Sequence, residues 1–226
     1  MPKAALLAPV NLFVRQPEPM RAPVFEFALE VDRQIEALTR EQFHLRTGRA
    51  KRLLEELFPL SRFALRLKYP GAQLEVEAFE DDGPLDGVLR WTGNSTSELP
   101  VEVTYVHSYE EALRRELFWK AGSTPGAGPI YRDKATGEIV AVNALVPTGE
   151  EITRLAASIV DLFKKKCSKQ YSRGTLLLIA FDDPTFFGFD LWRPLFAAIE
   201  ERGGLIGGFG EVYILNCGSN EQQMAV

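Results

Sequence analysis

Residues 73–106 read QLEVEAFEDDGPLDGVLRWTGNSTSELPVEVTYV, and the pattern of this stretch is the strongest indication of the fold. Its first segment, 73–79, alternates apolar residues with glutamates, which is typical of a strand with one buried face. Two more apolar segments, 85–91 and 99–106, follow a Gly-Pro turn and a polar loop rich in Gly, Asn, Ser and Thr. The stretch therefore predicts three consecutive strands that form an antiparallel meander.

Helices are predicted on both sides of this meander. The spacing of a capping box occurs at Thr39 with Gln42, Ser108 with Glu111, and Thr148 with Glu151. The predicted helices cover 40–58, ended by Pro59, then 108–121, ended by Gly122, and a long amphipathic helix from 148. The apolar run 175–181 is typical of a strand buried on both faces, and we expect it beside 99–106.

The predicted fold class is therefore α/β, with a mixed sheet flanked by helices. We expect a single domain over 1–226, because no linker or repeat divides the chain. Within it, 1–38 is a peripheral N-terminal segment with strands over 6–14 and 24–31. Residues 40–181 form the core. Residues 182–226 add a helix near 191–202 and a strand near 211–215.

The composition is that of an ordinary globular protein, with 46% hydrophobic and 25% charged residues among 226. Two cysteines are too few for a disulfide framework or a zinc site, which favours a reducing, cytoplasmic setting. No apolar stretch approaches the roughly 18 to 20 residues that cross a bilayer, so no membrane partner is expected. The net charge of −5 argues mildly against non-specific coating of nucleic acid.

Two acidic residues of the meander are the strongest candidates for chemistry. Asp86 begins the second predicted strand, and Glu102 lies in the third with Thr104 on the same face. If these strands pair, the two carboxylates converge and repel each other. A divalent cation such as Mg²⁺ would relieve this repulsion, bind phosphate oxygens and activate a water molecule. The pair therefore points to hydrolysis of a phosphodiester.

The segment order over 40–181, with the pieces PLDG at 84–87 and VEVT at 101–104, resembles the PD-(D/E)xK, or restriction-endonuclease-like, nuclease superfamily. The resemblance implies a restriction-endonuclease-like fold and hydrolysis that depends on Mg²⁺ or Mn²⁺. It assigns Asp86 and Glu102 as metal ligands, with the Val103 carbonyl as a third. Thr104 stands where that family has a lysine, so the chain would be a divergent member without the motif lysine.

Lys120 is the candidate that the resemblance suggests for the missing cation, since some families supply it from a neighbouring helix. The alternative is a surface lysine that favours a helix C-terminus. Glu55 or Glu56 would complete an acidic site, or lie on a solvated helix face. His107 follows the third strand and either enters the site or remains a capping or surface residue.

Two basic clusters, over 40–68 and 164–173, could contact phosphates or could be ordinary solvated helix faces. Two functions are therefore expected. The first is a metal-dependent nuclease or nuclease-like protein that processes nucleic acid, with activity that is impaired unless Lys120 or another cation replaces the missing lysine. The second is a catalytically silent domain that binds nucleic acid or a protein partner. The sequence indicates neither DNA nor RNA, and no oligomeric state.

Overall fold

The computed structural model describes residues 20–79, 83, 85–93, 96–126, 128–183, 186, 189–219 and 221–225. The strands in this part of the chain are β1 (Met20–Pro23), β2 (Gln73–Ala78), β3 (Gly87–Thr92), β4 (Ser97–Tyr105), β5 (Ile130–Arg132), β6 (Ile139–Ala141), β7 (Leu176–Phe181), β8 (Glu211–Asn216) and β9 (Glu221–Met224). The helices are α1 (Val24–Glu36), α2 (Arg40–Leu45), α3 (Arg49–Arg52), α4 (Phe58–Arg66), α5 (Tyr109–Ala121), α6 (Thr148–Cys167) and α7 (Phe189–Glu200). A π-helical turn, Leu53–Leu57, joins α3 to α4. None of the described helices is both long and apolar enough to cross a membrane.

A seven-stranded mixed sheet forms the centre of the fold, in the order β1-β2-β3-β4-β7-β8-β9. The strands from β1 to β4 pair antiparallel, which confirms the predicted meander. β7 lies beside β4, as predicted; the two strands pair parallel, and β8 continues the parallel part. β5 and β6 form a separate hairpin. The α/β fold class is thus confirmed as a mixed sheet with flanking helices.

The two faces of the sheet pack against different helices. Alternation along β4 sends Val101 and Val103 into a core shared with α1 and α4. Glu102 and Thr104 lie on the opposite face, where the neighbouring Leu177 and Ile179 of β7 pack with α6 and α7. This alternation places Glu102 of β4 under the helix α6.

The N-terminal region differs from its prediction. Residues 24–31 were expected to form a strand, but they belong to the helix α1, and only Met20–Pro23 is extended. The buried residues of α1 are Val24, Phe27, Ala28 and Val31. Their spacing of three and four is helical, and this periodicity outweighs the β propensity of valine and phenylalanine. The predicted strand over 6–14 lies outside the described residues.

The helix predicted over 40–58 is interrupted and extends beyond Pro59. Arg46 ends α2 in the left-handed conformation, with φ of 49°. Pro59 does not end the helix, because the π-helical turn continues directly into α4, in which Pro59 is the second residue. At α6 the N-cap is Pro147 and not the predicted Thr148. The capping boxes at Thr39 and Ser108 are confirmed.

Gly87 links the candidate Asp86 to the strand β3 and lies in a crowded position. A Cβ atom at residue 87 would lie 2.7 Å from the Glu77 carbonyl oxygen and 2.9 Å from Leu60 Cδ2. We therefore expect Gly87→Ala to lower the free energy of unfolding by about 1–3 kcal/mol through overpacking. Denaturant unfolding measures this loss. Gly126→Ala is the control, because a Cβ there meets no atom within 4 Å. Equal stability of the two variants would contradict the expectation.

Candidate active site

Asp86 lies directly before β3, where the strand pairing brings it beside β4. Its N–H donates to the Val101 carbonyl at 3.0 Å. Its Oδ2 atom accepts a hydrogen bond from the N–H of Val103 at 2.7 Å. Asp86 is thus held by its backbone against Val101 and by its carboxylate against Val103, the two residues that flank Glu102 in β4. The strand pairing brings the two predicted acidic residues together.

Glu102 is the most deeply buried member of this pair, with 5% of its surface exposed. Its Oε1 atom forms an ion pair with Lys166 Nζ and accepts a hydrogen bond from the Tyr171 hydroxyl at 3.1 Å. A buried carboxylate requires such partners, because desolvation of an unpaired charge is costly. Thr104, on the same face, is buried as well and supplies no charge.

Lys166 lies in the last turn of α6, and its position follows from the helical repeat. The buried stripe of α6 includes Ile159 and Phe163. Lys166 comes three residues after Phe163 and seven after Ile159, so it continues this stripe toward the sheet. Its side chain is 17% exposed, whereas the neighbouring Lys164 and Lys165 are exposed. The amphipathic repeat therefore delivers one lysine of a basic cluster to a buried carboxylate.

Tyr171 lies in the segment between α6 and β7. Its ring packs against Phe209, with ring centroids 4.8 Å apart. Burial raises the pKa of the Tyr171 hydroxyl, and the neighbouring Glu102 raises it further. The hydroxyl therefore stays protonated and remains a hydrogen-bond donor to Glu102. Both Tyr171 and Lys166 are site residues that the sequence interpretation had not selected.

The electrostatics of Asp86 reflect a crowded acidic site. Burial and the nearby Glu102 carboxylate raise the pKa of Asp86 from 3.8 to about 7. Glu56 contributes to this rise, while Lys166 and the Val103 N–H oppose it. Burial also raises the pKa of Glu56 itself, against the effects of Arg52 and Lys166. Glu56 thus interacts electrostatically with Asp86 and Lys166. This agrees with the alternative that one of the two glutamates completes an acidic site.

Lys120 does not contact these carboxylates, which corrects the expectation that it would supply the missing cation. It lies near the end of α5 with a side chain that is 60% exposed. Its Nζ atom forms an ion pair with Glu116 Oε1 at 2.7 Å, one helical turn away. The physical reason is that α5 directs this face toward the β5–β6 hairpin, where Arg132 also pairs with Glu116. The cation that contacts Glu102 is Lys166.

Glu55 and His107 form a separate pair. Glu55 is buried, and its Oε2 atom lies 2.6 Å from His107 Nε2. The alternative of a solvated helix surface is therefore wrong for Glu55. The consecutive residues Glu55 and Glu56 of the π-helical turn serve two different clusters, one around His107 and one around Asp86.

The donor set at Asp86 and Glu102 fits a hard divalent cation. Carboxylate oxygens are ligands that Mg²⁺ and Mn²⁺ prefer, and Mg²⁺ is commonly held by one or two carboxylates with water and substrate phosphates. Across the described residues, no group of three or more His, Cys, Asp or Glu side chains is arranged to hold a metal ion. Two carboxylates that repel each other can hold an ion such as Mg²⁺ when water molecules and substrate phosphates supply its remaining ligands. The Val103 carbonyl as a third ligand stays a prediction.

The candidate site therefore combines two interacting carboxylates, one partly buried ammonium group and one tyrosine hydroxyl, all on the α6 side of β4. Such a combination can bind a cation and place a fixed positive charge beside it. Comparisons of the chain with protein-family models, with curated proteins and with solved structures find no match.

Proposed function

We propose that the protein is a divalent-metal-dependent nuclease of the PD-(D/E)xK type, in which Lys166 of α6 replaces the missing motif lysine. The observation that carries the proposal is the ion pair between Lys166 and Glu102, next to the Asp86 carboxylate. Without Lys166 the site would be purely acidic. With it, the three chemical roles that the resemblance implies each have a residue.

Each residue has a distinct part in the proposed reaction. Asp86 and Glu102 would hold the metal ion through their carboxylate oxygens, and the Tyr171 hydroxyl orients Glu102. When bound, Mg²⁺ or Mn²⁺ would polarise the phosphodiester and lower the pKa of a water molecule. Lys166 adds a positive charge that stabilises the negative charge developing at the attacked phosphate. The low exposure of Glu102 and Lys166 strengthens these electrostatic interactions, since little water screens them.

The surroundings of the site support a polyanionic substrate. Lys164, Lys165, Lys169 and Arg173 are exposed and flank Lys166 and Tyr171 in the chain. Exposed lysines and arginines that neutralise several phosphates supply most of the sequence-independent affinity for nucleic acid. A substrate that carries many phosphates therefore suits this surface better than a small phosphodiester does.

Calorimetric titration with Mn²⁺ tests the metal-binding part of the proposal. We expect the wild type to bind Mn²⁺ and Glu102→Gln to bind it at least about 10- to 100-fold more weakly, the range found for residues that only support metal ligands. Glu98→Gln is the matched control, because Glu98 lies in the same strand but pairs with Arg90 and is 55% exposed. The control should keep wild-type affinity. Absence of Mn²⁺ binding by the wild type would contradict the proposal and favour the silent binding domain.

A further inference from the structure

A second cluster of charged groups lies at the carboxyl ends of β4 and β7, apart from the Asp86 site. Its members come from the end of α2, the π-helical turn, the end of β4, α5 and the residue after β7. They are Arg46, Glu55, Tyr105, His107, Glu111, Arg115 and Asp182. None of these residues has a part in the proposed hydrolysis.

Arg46 is the centre of this cluster. Its side chain is 10% exposed, and its guanidinium carbon lies 5.0 Å from the centre of the Tyr105 ring. Nη2 donates to Asp182 over a long 3.4 Å, and Nη1 is 3.9 Å from Glu55 Oε1, beyond hydrogen-bonding distance. Within the described part of the chain, the buried Nε and Nη1 atoms have no hydrogen-bond partner. Arg46 also adopts a left-handed backbone conformation, with φ of 49°, which is costly for a residue other than glycine.

Arg115 of α5 places a second guanidinium group in the same cluster. Its Nε atom is buried and has no hydrogen-bond partner among the described residues. Burial lowers the pKa of Arg115, and the charge of Arg46 lowers it further. The largely buried Arg46 and the half-buried Arg115 therefore lie close enough to repel each other, and three of their buried nitrogen atoms lack acceptors among the described residues. Unsatisfied groups of this kind in a native fold call for an acceptor such as an ordered water molecule or an ion.

The carboxylates of the cluster do not meet this need. Glu55 is bonded to His107, and Glu111 accepts from the N–H of Ser108 in the capping box of α5. Asp182 reaches only Nη2 of Arg46 and is 45% exposed. The Tyr105 hydroxyl also interacts with the Arg46 guanidinium group. Nε and Nη1 of Arg46 and Nε of Arg115 nevertheless have no hydrogen-bond acceptor among the described residues.

We propose that Arg46 and Arg115 form a binding site for a phosphate-type oxyanion. The guanidinium group matches the geometry of a phosphate with paired N–H donors, and two such groups surround a dianion better than a single one does. The anion enters from the side of His107 and Asp182, the partly exposed members, and displaces Asp182 from its long hydrogen bond. The same chemistry is offered by free inorganic phosphate and by the terminal phosphate of a nucleic acid. This inference does not depend on the proposed hydrolysis.

Thermal unfolding in sodium phosphate, compared with sodium chloride at equal ionic strength, tests the site. We expect phosphate to raise the Tm of the wild type by specific binding to the folded state. Arg115→Gln should weaken phosphate binding by about 10- to 100-fold, as expected for hydrogen bonds to a charged group. Lys120→Gln is the matched control, because it removes the same charge from an exposed position of α5. Arg46→Lys keeps the charge and loses the paired donors, so it should weaken phosphate binding by about tenfold. This variant tests the site if Arg115→Gln does not fold.

Two oligonucleotides of identical sequence, one with a 5′-phosphate and one without it, distinguish the sources of the phosphate. Stabilisation by the 5′-phosphorylated oligonucleotide alone would assign the site to a nucleic-acid terminus. Stabilisation by inorganic phosphate without either oligonucleotide would assign it to a free anion. The proposal is overturned if neither inorganic phosphate nor the 5′-phosphorylated oligonucleotide stabilises the wild type more than chloride does, or if folded Arg115→Gln or Arg46→Lys keeps the full effect.

Discussion

Replacing Lys166 with methionine is expected to slow Mg²⁺-dependent cleavage of nucleic acid by about 10²- to 10³-fold, the usual loss for one electrostatic group aimed at a reacting centre. The reason is that Lys166 is the cation paired with Glu102, and its side chain is only 17% exposed. Initial rates on end-labelled DNA and RNA measure the effect. The cleavage rate of Lys166→Arg should lie between those of the wild type and Lys166→Met, because arginine keeps the positive charge but changes its position.

The neighbouring Lys165→Met provides the control for this result. Lys165 is exposed in the same turn of α6, so the variant loses an equal charge without touching Glu102. Removal of Lys166 also leaves a buried carboxylate unpaired, which costs about 3–5 kcal/mol. Circular dichroism must therefore show that Lys166→Met is folded at the assay temperature. Equal loss of rate in Lys165→Met and Lys166→Met would show that only overall charge matters, and would contradict the assigned role.

The second large effect is expected in the pH dependence of stability. Burial and Glu102 raise the pKa of Asp86 from 3.8 to about 7. Between about pH 4 and pH 7 the folded state therefore holds a proton that the unfolded chain has lost. Stability must then fall as the pH rises through this range, by at most about 4 kcal/mol from this group. Asp86→Asn removes the charge and keeps an oxygen that can accept from Val103.

We expect Asp86→Asn to unfold at higher denaturant concentration than the metal-free wild type at pH 7.5, and to lose most of this advantage at pH 4.5. Denaturant unfolding at both pH values in the presence of a chelator measures the difference. Asp161→Asn, at an exposed position of α6, should follow the wild type at both pH values. A wild type and an Asp86→Asn variant with parallel pH profiles would contradict the raised pKa.

The meander and its acidic pair could be predicted from the sequence because the information is local. Alternation in 73–79 and 99–106 fixes which side chains share a face, and an antiparallel pair brings Asp86 beside β4. The capping boxes at Thr39 and Ser108 likewise depend on residues three positions apart. These features required no knowledge of how distant elements pack.

The identity of the cation could not be predicted in the same way. The helical repeat of α6 places Lys166 on the buried stripe, and this signal was present in the sequence. Its contact with Glu102, however, depends on the parallel pairing of β4 with β7 and on the side of the sheet that α6 covers. The assignment of Lys120 failed because a helix that follows β4 in sequence need not face Glu102 in space. The strand prediction over 24–31 was wrong because the β propensity of these residues conflicts with their helical spacing. Packing of α1 against α4 favours the helix.

Cleavage of labelled single- and double-stranded DNA and RNA by the wild type and by Glu102→Gln, with Mg²⁺ or with a chelator, tests the proposed nuclease site. We expect cleavage by the wild type that requires Mg²⁺ and is lost in folded Glu102→Gln, while Glu98→Gln retains it. Cleavage that persists in the chelator or in Glu102→Gln would contradict a metal-dependent nuclease, as would a wild type that cleaves none of these substrates.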